Sequence, residues 1–430
     1  MIIFYFLILL LPLANHPLWT MSIAGVTPIK ILGLLNVLYA LGYLLLYHPR
    51  PHFFRTRQAR WFVAFIVLAG VSFVAKDHGF YMSAQFGLIY ASVLLLFFVT
   101  VIVVDSLRHL RLVLISVVAS MAVASAYVLR EWYKYHNLYP GFRAGWIAGD
   151  SNYFAASALI ALPIAYYFFR MAPRRWEGRF CLAAFALTLF AVMLTASRGG
   201  FLGLLVGLLL IVWRSKARIR NFAVMTLLVV PIVLLAPSSP LQRLLDPGYS
   251  ERIGSEVRLV LWKAGMHMIA DHPVFGVGLG NFAVASTTYM DNKTLSQYKE
   301  LAAYTPQQIA GMACNAYVQT AAELGITGFV VFVGLLVSAF WSLETTRRRA
   351  RKAGPKLLFL AAQSMQVSLV SFAVALVFLD GEYLKLFWLL LFVSMTLPGL
   401  LSGKAAVSRE ASPAQQLESE LVGEILPTAV

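Results

Sequence analysis

The residues best suited to chemistry in this chain are arginines placed against the trend of its other basic residues. Arg198 stands in TASRGGFLG, a sharp turn between two apolar runs, where Gly199, Gly200 and Gly203 allow close backbone approach. A guanidinium held at such a turn is fixed at the rim of a helix bundle, and fixed arginines suit a two-pronged grasp of phosphate oxygens. Arg143 precedes it in a polar stretch, and Arg258 and Lys263 follow it in EVRLVLWKAGMHMIADHP. Trp262 lies four residues after Arg258, on one face of an expected amphipathic helix whose apolar set, Val257, Leu261, Ala264 and Met268, would face the membrane surface. The bland alternative for any one of these arginines is snorkelling to lipid headgroups from the end of a span.

Three further features offer polar groups. GDSN places Asp150, Ser151 and Asn152 at the start of a span, where one of them is expected to cap the helix and leave Asn152 to bond a ligand. HPVFGVGLGNF spaces Gly276, Gly278 and Gly280 two apart, which reads either as a phosphate loop or as a tight turn. No strand precedes it and no Walker lysine follows. Glu323 falls about two turns inside a span, and an intramembrane carboxylate is by default functional or paired. His272, before Pro273, reads as structural. Asp380 and Glu382 sit on a very short turn between two spans and are expected to be solvated.

What must position these residues is a membrane bundle. The chain has 430 residues, 60% of them hydrophobic and 13% charged, with a mean hydropathy of +0.75. No soluble domain needs that much apolar surface. A window of about 20 residues finds about twelve spans, and the first, with no basic leader or cleavage site, is read as retained. The fold class is therefore an all-α polytopic membrane protein, a single transmembrane domain over residues 1–402 with a polar tail over 403–430. A long outward-facing loop, 237–312, separates spans nine and ten. Of the 35 basic residues, 22 fall in loops on one side of such a bundle, which makes that side cytoplasmic and places both termini there. The net charge of +16 is thus a topological footprint and not a nucleic-acid groove. Cys181 and Cys314, the two cysteines, offer neither a structural disulfide nor a cysteine-based metal site.

The ordered features GDSN, TASRGG, R-x-x-x-W running into DHPVFGVGLGNF, and NAY…AELGITGF cover roughly residues 140–340. Together they resemble the O-antigen ligase/polymerase superfamily of membrane glycosyltransferases. The resemblance implies an outward-facing active site, a polyprenyl-pyrophosphate-linked glycan donor, a lipid or glycan acceptor, no metal and no cofactor. It implies residence in a bacterial inner membrane and a place in lipopolysaccharide or polysaccharide biosynthesis. It also implies that Arg198 and Arg258 engage the pyrophosphate. The family pattern has His-Asn at the start of the span after the large loop, with the histidine as general base, and here the pair is Cys314-Asn315. A thiol is a poorer base than imidazole at neutral pH, so His267 and Glu323 stand as other candidates for that role.

The catalytic set expected from the sequence is Cys314, Asn315, Arg258 and Arg198. Asn152, Arg143, Trp262, Lys263, His267 and Glu323 are expected at the substrate. The leading function is transfer of a glycan from a polyprenyl-pyrophosphate donor to an acceptor hydroxyl, as in a ligase. A repeat-unit polymerase of the same superfamily, a non-catalytic member and a twelve-span transporter are the alternatives. The asymmetry of the two long outer loops weighs against a transporter, which would more often set its site at mid-membrane between repeats.

Overall fold

The computed structural model describes residues 2–13, 16, 27–47, 56–75, 80–139, 142–170, 175–215, 217–235 and 249–410, and no strand occurs among them. The first half supplies α1 (Ile2–Leu10), α2 (Pro28–Tyr47), α3 (Arg57–Ala75), α4 (Phe80–Val103), α5 (Leu107–Tyr135), α6 (Ser151–Phe169) and α7 (Arg175–Leu194). Then come α8 (Arg198–Trp213), α9 (Arg218–Leu235), α10 (Tyr249–Asp271), α11 (Phe282–Ser286), α12 (Asn292–Ser296) and α13 (Pro306–Ile309). The chain ends in α14 (Ala316–Ala353), α15 (Lys356–Ala375) and α16 (Lys385–Glu410).

Each apolar run expected to span falls on one of these helices. Among the described residues, eight helices are long and apolar enough to cross a membrane, where about twelve spans were expected of the whole chain. The apolar helices Ile2–Leu13 and Arg198–Trp213 are shorter. With 16 residues, α8 extends about 24 Å at 1.5 Å per residue, less than the hydrocarbon thickness of about 30 Å. Two spans form the centre: 78% of Ser151–Phe169 and 72% of Lys356–Phe378 are buried within the protein. Around α6 and α15 pack α7, α8, α14 and α16. Close approach of α8 depends on glycine, since a Cβ on Gly203 would stand 2.5 Å from Leu159 and 2.6 Å from the Ser371 carbonyl.

The long stretch after α9 is not a loose loop. Residues 237–248 lie outside the described residues, but α10 to α13 fold around a small core of their own, built on Val260, Leu261, Ala264, Met268, Phe282, Leu295, Leu301 and Ile309. This corrects the expectation that Leu261, Ala264 and Met268 face the membrane surface: they are buried inside that core, with Val257 packed on its edge. The apolar stripe of α10 is satisfied by protein, since α11 and α14 pack against it. At the other end of the chain, α16 continues to Glu410, into the segment expected as a tail. Residues 411–430 lie outside the described residues.

Candidate functional site

Three helices begin at the same end of the bundle, and their first turns define the site. Asp150 caps α6, its carboxylate accepting the Asn152 amide at 2.6 Å. Ser197 caps α8 through the Gly200 amide at 3.2 Å. Asn315 caps α14, its carbonyl oxygen accepting the Tyr317 and Val318 amides at 3.0 and 3.2 Å. Each N-terminus presents partial positive charge, so their convergence favours an anion. Among the described residues, two non-glycine residues take a positive φ, Ala196 (50°) and Cys314 (49°). Each directly precedes a cap, Ser197 or Asn315, where an uncommon left-handed residue redirects the chain into the helix.

The turn between α15 and α16 closes the site from beneath, and here the structure overturns the expected solvation of Asp380 and Glu382. They are 4% and 1% exposed. Asp380 accepts the Asn315 amide at 3.1 Å and also the Cys314 amide, while the Ala316 amide reaches the Leu379 carbonyl at 3.1 Å. The short turn is thereby folded under the head of α14 instead of into solvent. Burial raises the Asp380 carboxyl to about 6, against the lowering effect of the two amides and the Arg258 charge. Burial, and next the Asp380 charge, raise Glu382 well above the usual carboxylate range. Both Glu382 carboxylate oxygens are buried without a hydrogen-bond partner among the described residues, whereas Asp380 has two amides and the Arg258 charge beside it. The short spacing between Asp380 and Lys385 places both at the bundle end, but does not say whether the turn faces water or protein.

Arg258 spans this corner. Its guanidinium reaches the Cys314 thiol and its charge also acts on Asp380. Despite that cation, burial and next the Asp380 charge push the Cys314 thiol up to about 11. A thiol in that range is protonated at neutral pH. Arg198 lies across the site, donating to Ser255 Oγ at 3.0 Å. Ser255 is one turn before Arg258 on α10, so the two arginines flank the same helix face. Trp262, one turn further on, donates from Nε1 to the Ala313 carbonyl at 2.8 Å and holds the segment that carries Cys314.

Other expected site residues are placed differently. Arg143 donates to the Thr195 carbonyl at 3.0 Å and to Asn152 Oδ1 at 2.7 Å, and Ser197 Oγ donates to the same oxygen at 2.8 Å. Asn152 is therefore not wholly free for a ligand: its carbonyl ties Arg143 to the head of α8, leaving only its amide NH2. Lys263 and His267 are exposed on α10, on the side away from its buried core.

Glu323 belongs to a separate structure. It is 2% exposed and accepts the Gly280 amide at 2.9 Å, the Phe282 amide at 3.3 Å and the Tyr383 hydroxyl at 3.4 Å, together with the Gln319 amide. The glycine-spaced loop wraps it: Val277 and Gly278 donate to the Ala322 and Glu323 carbonyls at 2.8 and 3.0 Å. This insertion requires the break in α14 at Gly325 (φ 73°), where a Cβ would stand 2.3 Å from the Val274 carbonyl oxygen. The amides that a phosphate loop would offer to a ligand are thus taken by this chain's own backbone and carboxylate. Among the described residues, no group of His, Cys, Asp and Glu side chains is placed to hold a metal ion.

No curated protein matches the chain. Residues 183–333 match the family model described as O-antigen ligase. The matched stretch runs from α7 through Arg198, Arg258 and Cys314 into α14, and so contains most of the polar corner just described. This stretch, about a third of the chain, is what the chain shares with the O-antigen ligase family, and it supports the resemblance drawn from the sequence.

Proposed function

We propose that the protein transfers a glycan from a polyprenyl-pyrophosphate donor to an acceptor hydroxyl, with ligase-type chemistry, at the end of the bundle where α6, α8 and α14 begin. The observation that carries this reading is the arrangement of Arg258 beside the buried Asp380 and the head of α14, with Arg198 across the same face of α10. The acceptor oxygen forms a bond to the anomeric carbon as the bond from that carbon to the pyrophosphate oxygen breaks. The departing electron pair remains on the polyprenyl pyrophosphate. Arg198, Arg258 and the three helix N-termini stabilise the charge that localises there. The hydroxyl proton passes to Asp380, whose carboxylate is charged at neutral pH and, raised by burial, more basic than an ordinary aspartate. Cys314 occupies the family's histidine position but acts as packing and as a partner of Arg258, because its thiol stays protonated. Arg143 and Asn152 set the shape of the donor side, and Trp262 fixes the Ala313–Cys314 backbone.

The site end is assigned to the periplasm and the opposite end, with both termini, to the cytoplasm of a bacterial inner membrane. Two features support this. The bias of basic loops favours it, and Arg170, Arg214, Arg220, Arg347, Arg351 and Lys356 gather at the end remote from Asp380. A transporter reading has no comparable support, since the charged groups of the site lie at a bundle end and not at mid-membrane.

The test is glycan transfer in membrane vesicles supplied with a polyprenyl-pyrophosphate-linked donor. Transfer to a lipid acceptor is expected for a ligase, and extension of the donor's own glycan for a polymerase. Absence of both from inserted, folded protein would overturn the reading. Cysteine-accessibility labelling near Thr294 from outside and near Arg349 from inside is expected, and labelling of both from one side would overturn the orientation.

A further inference from the structure

The bundle end remote from the site holds a cavity of about 630 Å3, between the ends of α6 and α8, the start of α15 and the last turns of α14. Six cations line it: Arg170, Arg214, Arg220, Arg347, Arg351 and Lys356. They come from three loops far apart in sequence. The nearby carboxylate is Glu344, and it is already chelated by Arg347 at 2.8 Å and by Arg348 at 2.5 Å. Among the described residues, the other five lining cations make no ion pair.

Arg214 is the most telling of them. Its Nη1 is buried and has no hydrogen-bond partner among the described residues. Burial, and next the Arg347 charge, lower its affinity for the proton. A buried donor without an acceptor is costly to keep, more so for a charged group. The neutral polar groups of the cavity do not relieve it: the Gln363 amide donates to the Tyr167 hydroxyl at 2.8 Å, and Tyr166 takes Arg170 at 3.1 Å. Part of the lining is apolar, with Ile211, Phe359 and Leu360 beside Tyr166. The cavity therefore pairs a donor-rich head with an apolar flank, which fits an amphiphile with an anionic head and excludes a cation.

We propose that this cavity binds the phosphate headgroup of an anionic phospholipid, with Arg214 and its neighbouring cations on the phosphate and an acyl chain along Ile211, Phe359 and Leu360. Assignment to the cytoplasmic leaflet rests on the orientation proposed above; binding itself does not. Basic pockets between helices on that side of a membrane are suited to anionic lipid heads, and fixed guanidiniums bind phosphate in fork fashion. The bound lipid would supply the acceptor oxygens that Arg214 lacks and offset mutual repulsion among the six cations.

The experiment uses the full chain, purified and placed in nanodiscs of phosphatidylcholine containing a minor fraction of phosphatidylglycerol, with retained lipid read by native mass spectrometry. The wild type is expected to retain phosphatidylglycerol over phosphatidylcholine by about tenfold relative to their bulk ratio. Arg214→Gln is expected to lose most of that preference. Arg220→Gln/Arg351→Gln, at two exposed positions that should not affect folding, is expected to lose a comparable part. Arg348→Gln, held by Glu344 outside the cavity, is expected to keep it. Equal retention of the two lipids by the wild type, or unchanged preference in both cavity variants, would overturn the proposal. So would displacement of phosphatidylglycerol by millimolar inorganic phosphate or pyrophosphate, which would mark a site for a soluble anion. Glycan transfer is read in a separate assay, so failure here and failure of the transfer reading are distinguishable.

Discussion

Glu323 and Asp380 are both almost wholly enclosed and both accept backbone amides, yet their surroundings differ. Glu323 is saturated: two loop amides, a glutamine amide and a tyrosine hydroxyl surround its carboxylate, and no basic side chain is among its partners. Asp380 accepts two amides from the head of α14, feels the Arg258 charge and neighbours Glu382, whose carboxyl is raised by burial. A carboxylate whose acceptor sites are filled by fixed donors works as a staple; here it locks the Gly276–Gly280 loop into the break of α14. A carboxylate beside a cation at the open end of a bundle, raised toward neutrality by burial, can take up a proton. Burial alone does not distinguish the two. Their partners do.

The largest expected effect falls on the cation that separates the two regions. Arg258→Ala should lower transfer by a factor on the order of 100 to 1000, with Arg198→Ala close behind, because each removes a fixed donor from a developing charge. Lysine should rescue Arg258 poorly, for lack of the planar fork. Full activity in Arg258→Lys would reduce this arginine to a point charge and weaken the pyrophosphate clamp.

Asp380→Asn should cost about a hundredfold in rate while leaving the protein inserted, since asparagine still accepts the Asn315 amide but takes no proton. Glu323→Gln should show the converse. It leaves buried donors facing an amide NH2, at a cost on the order of 1–3 kcal/mol, read as a lowered Tm in detergent. Transfer by the fraction that remains folded should fall by no more than a fewfold. If Glu323→Gln abolished transfer in stably folded protein while Asp380→Asn did not, the two carboxylates would have exchanged roles. Cys314→Ser should be the mildest change, within about twofold, because a protonated thiol and a hydroxyl offer Arg258 similar contacts.

Much of this comparison was within reach of the sequence, and the parts that were not have physical reasons. The helices were legible because apolar runs of spanning length admit few other structures. Arg198 and Arg258 stood out in the sequence as cations where topology did not call for them, and the structure sets them along one face of α10. Asp150 was legible as a cap from its place before an apolar run, but the engagement of Asn152 by Arg143 was not, since that contact depends on how one loop lies across another helix turn. The apolar stripe of α10 was visible, whereas its partner was not: periodicity marks a face to be covered without saying whether lipid or protein covers it. Asp380 was set aside because a charged residue on a short turn is usually solvated. Only the tertiary fold shows that the turn is tucked beneath Asn315.

The most direct test of the central claim, that Asp380 and not Cys314 or Glu323 receives the acceptor proton, is the pH dependence of transfer by the wild type in membrane vesicles. A base must be unprotonated to act, so with the Asp380 carboxyl raised to about 6 the rate should fall as pH drops through that value. Above neutrality it should stay level through the range where an ordinary thiol near 8.5 would ionise. Cys314→Ser should trace the same curve. A rate that instead climbs through the alkaline range, with that rise absent from Cys314→Ser, would assign the proton to the thiol and contradict the account.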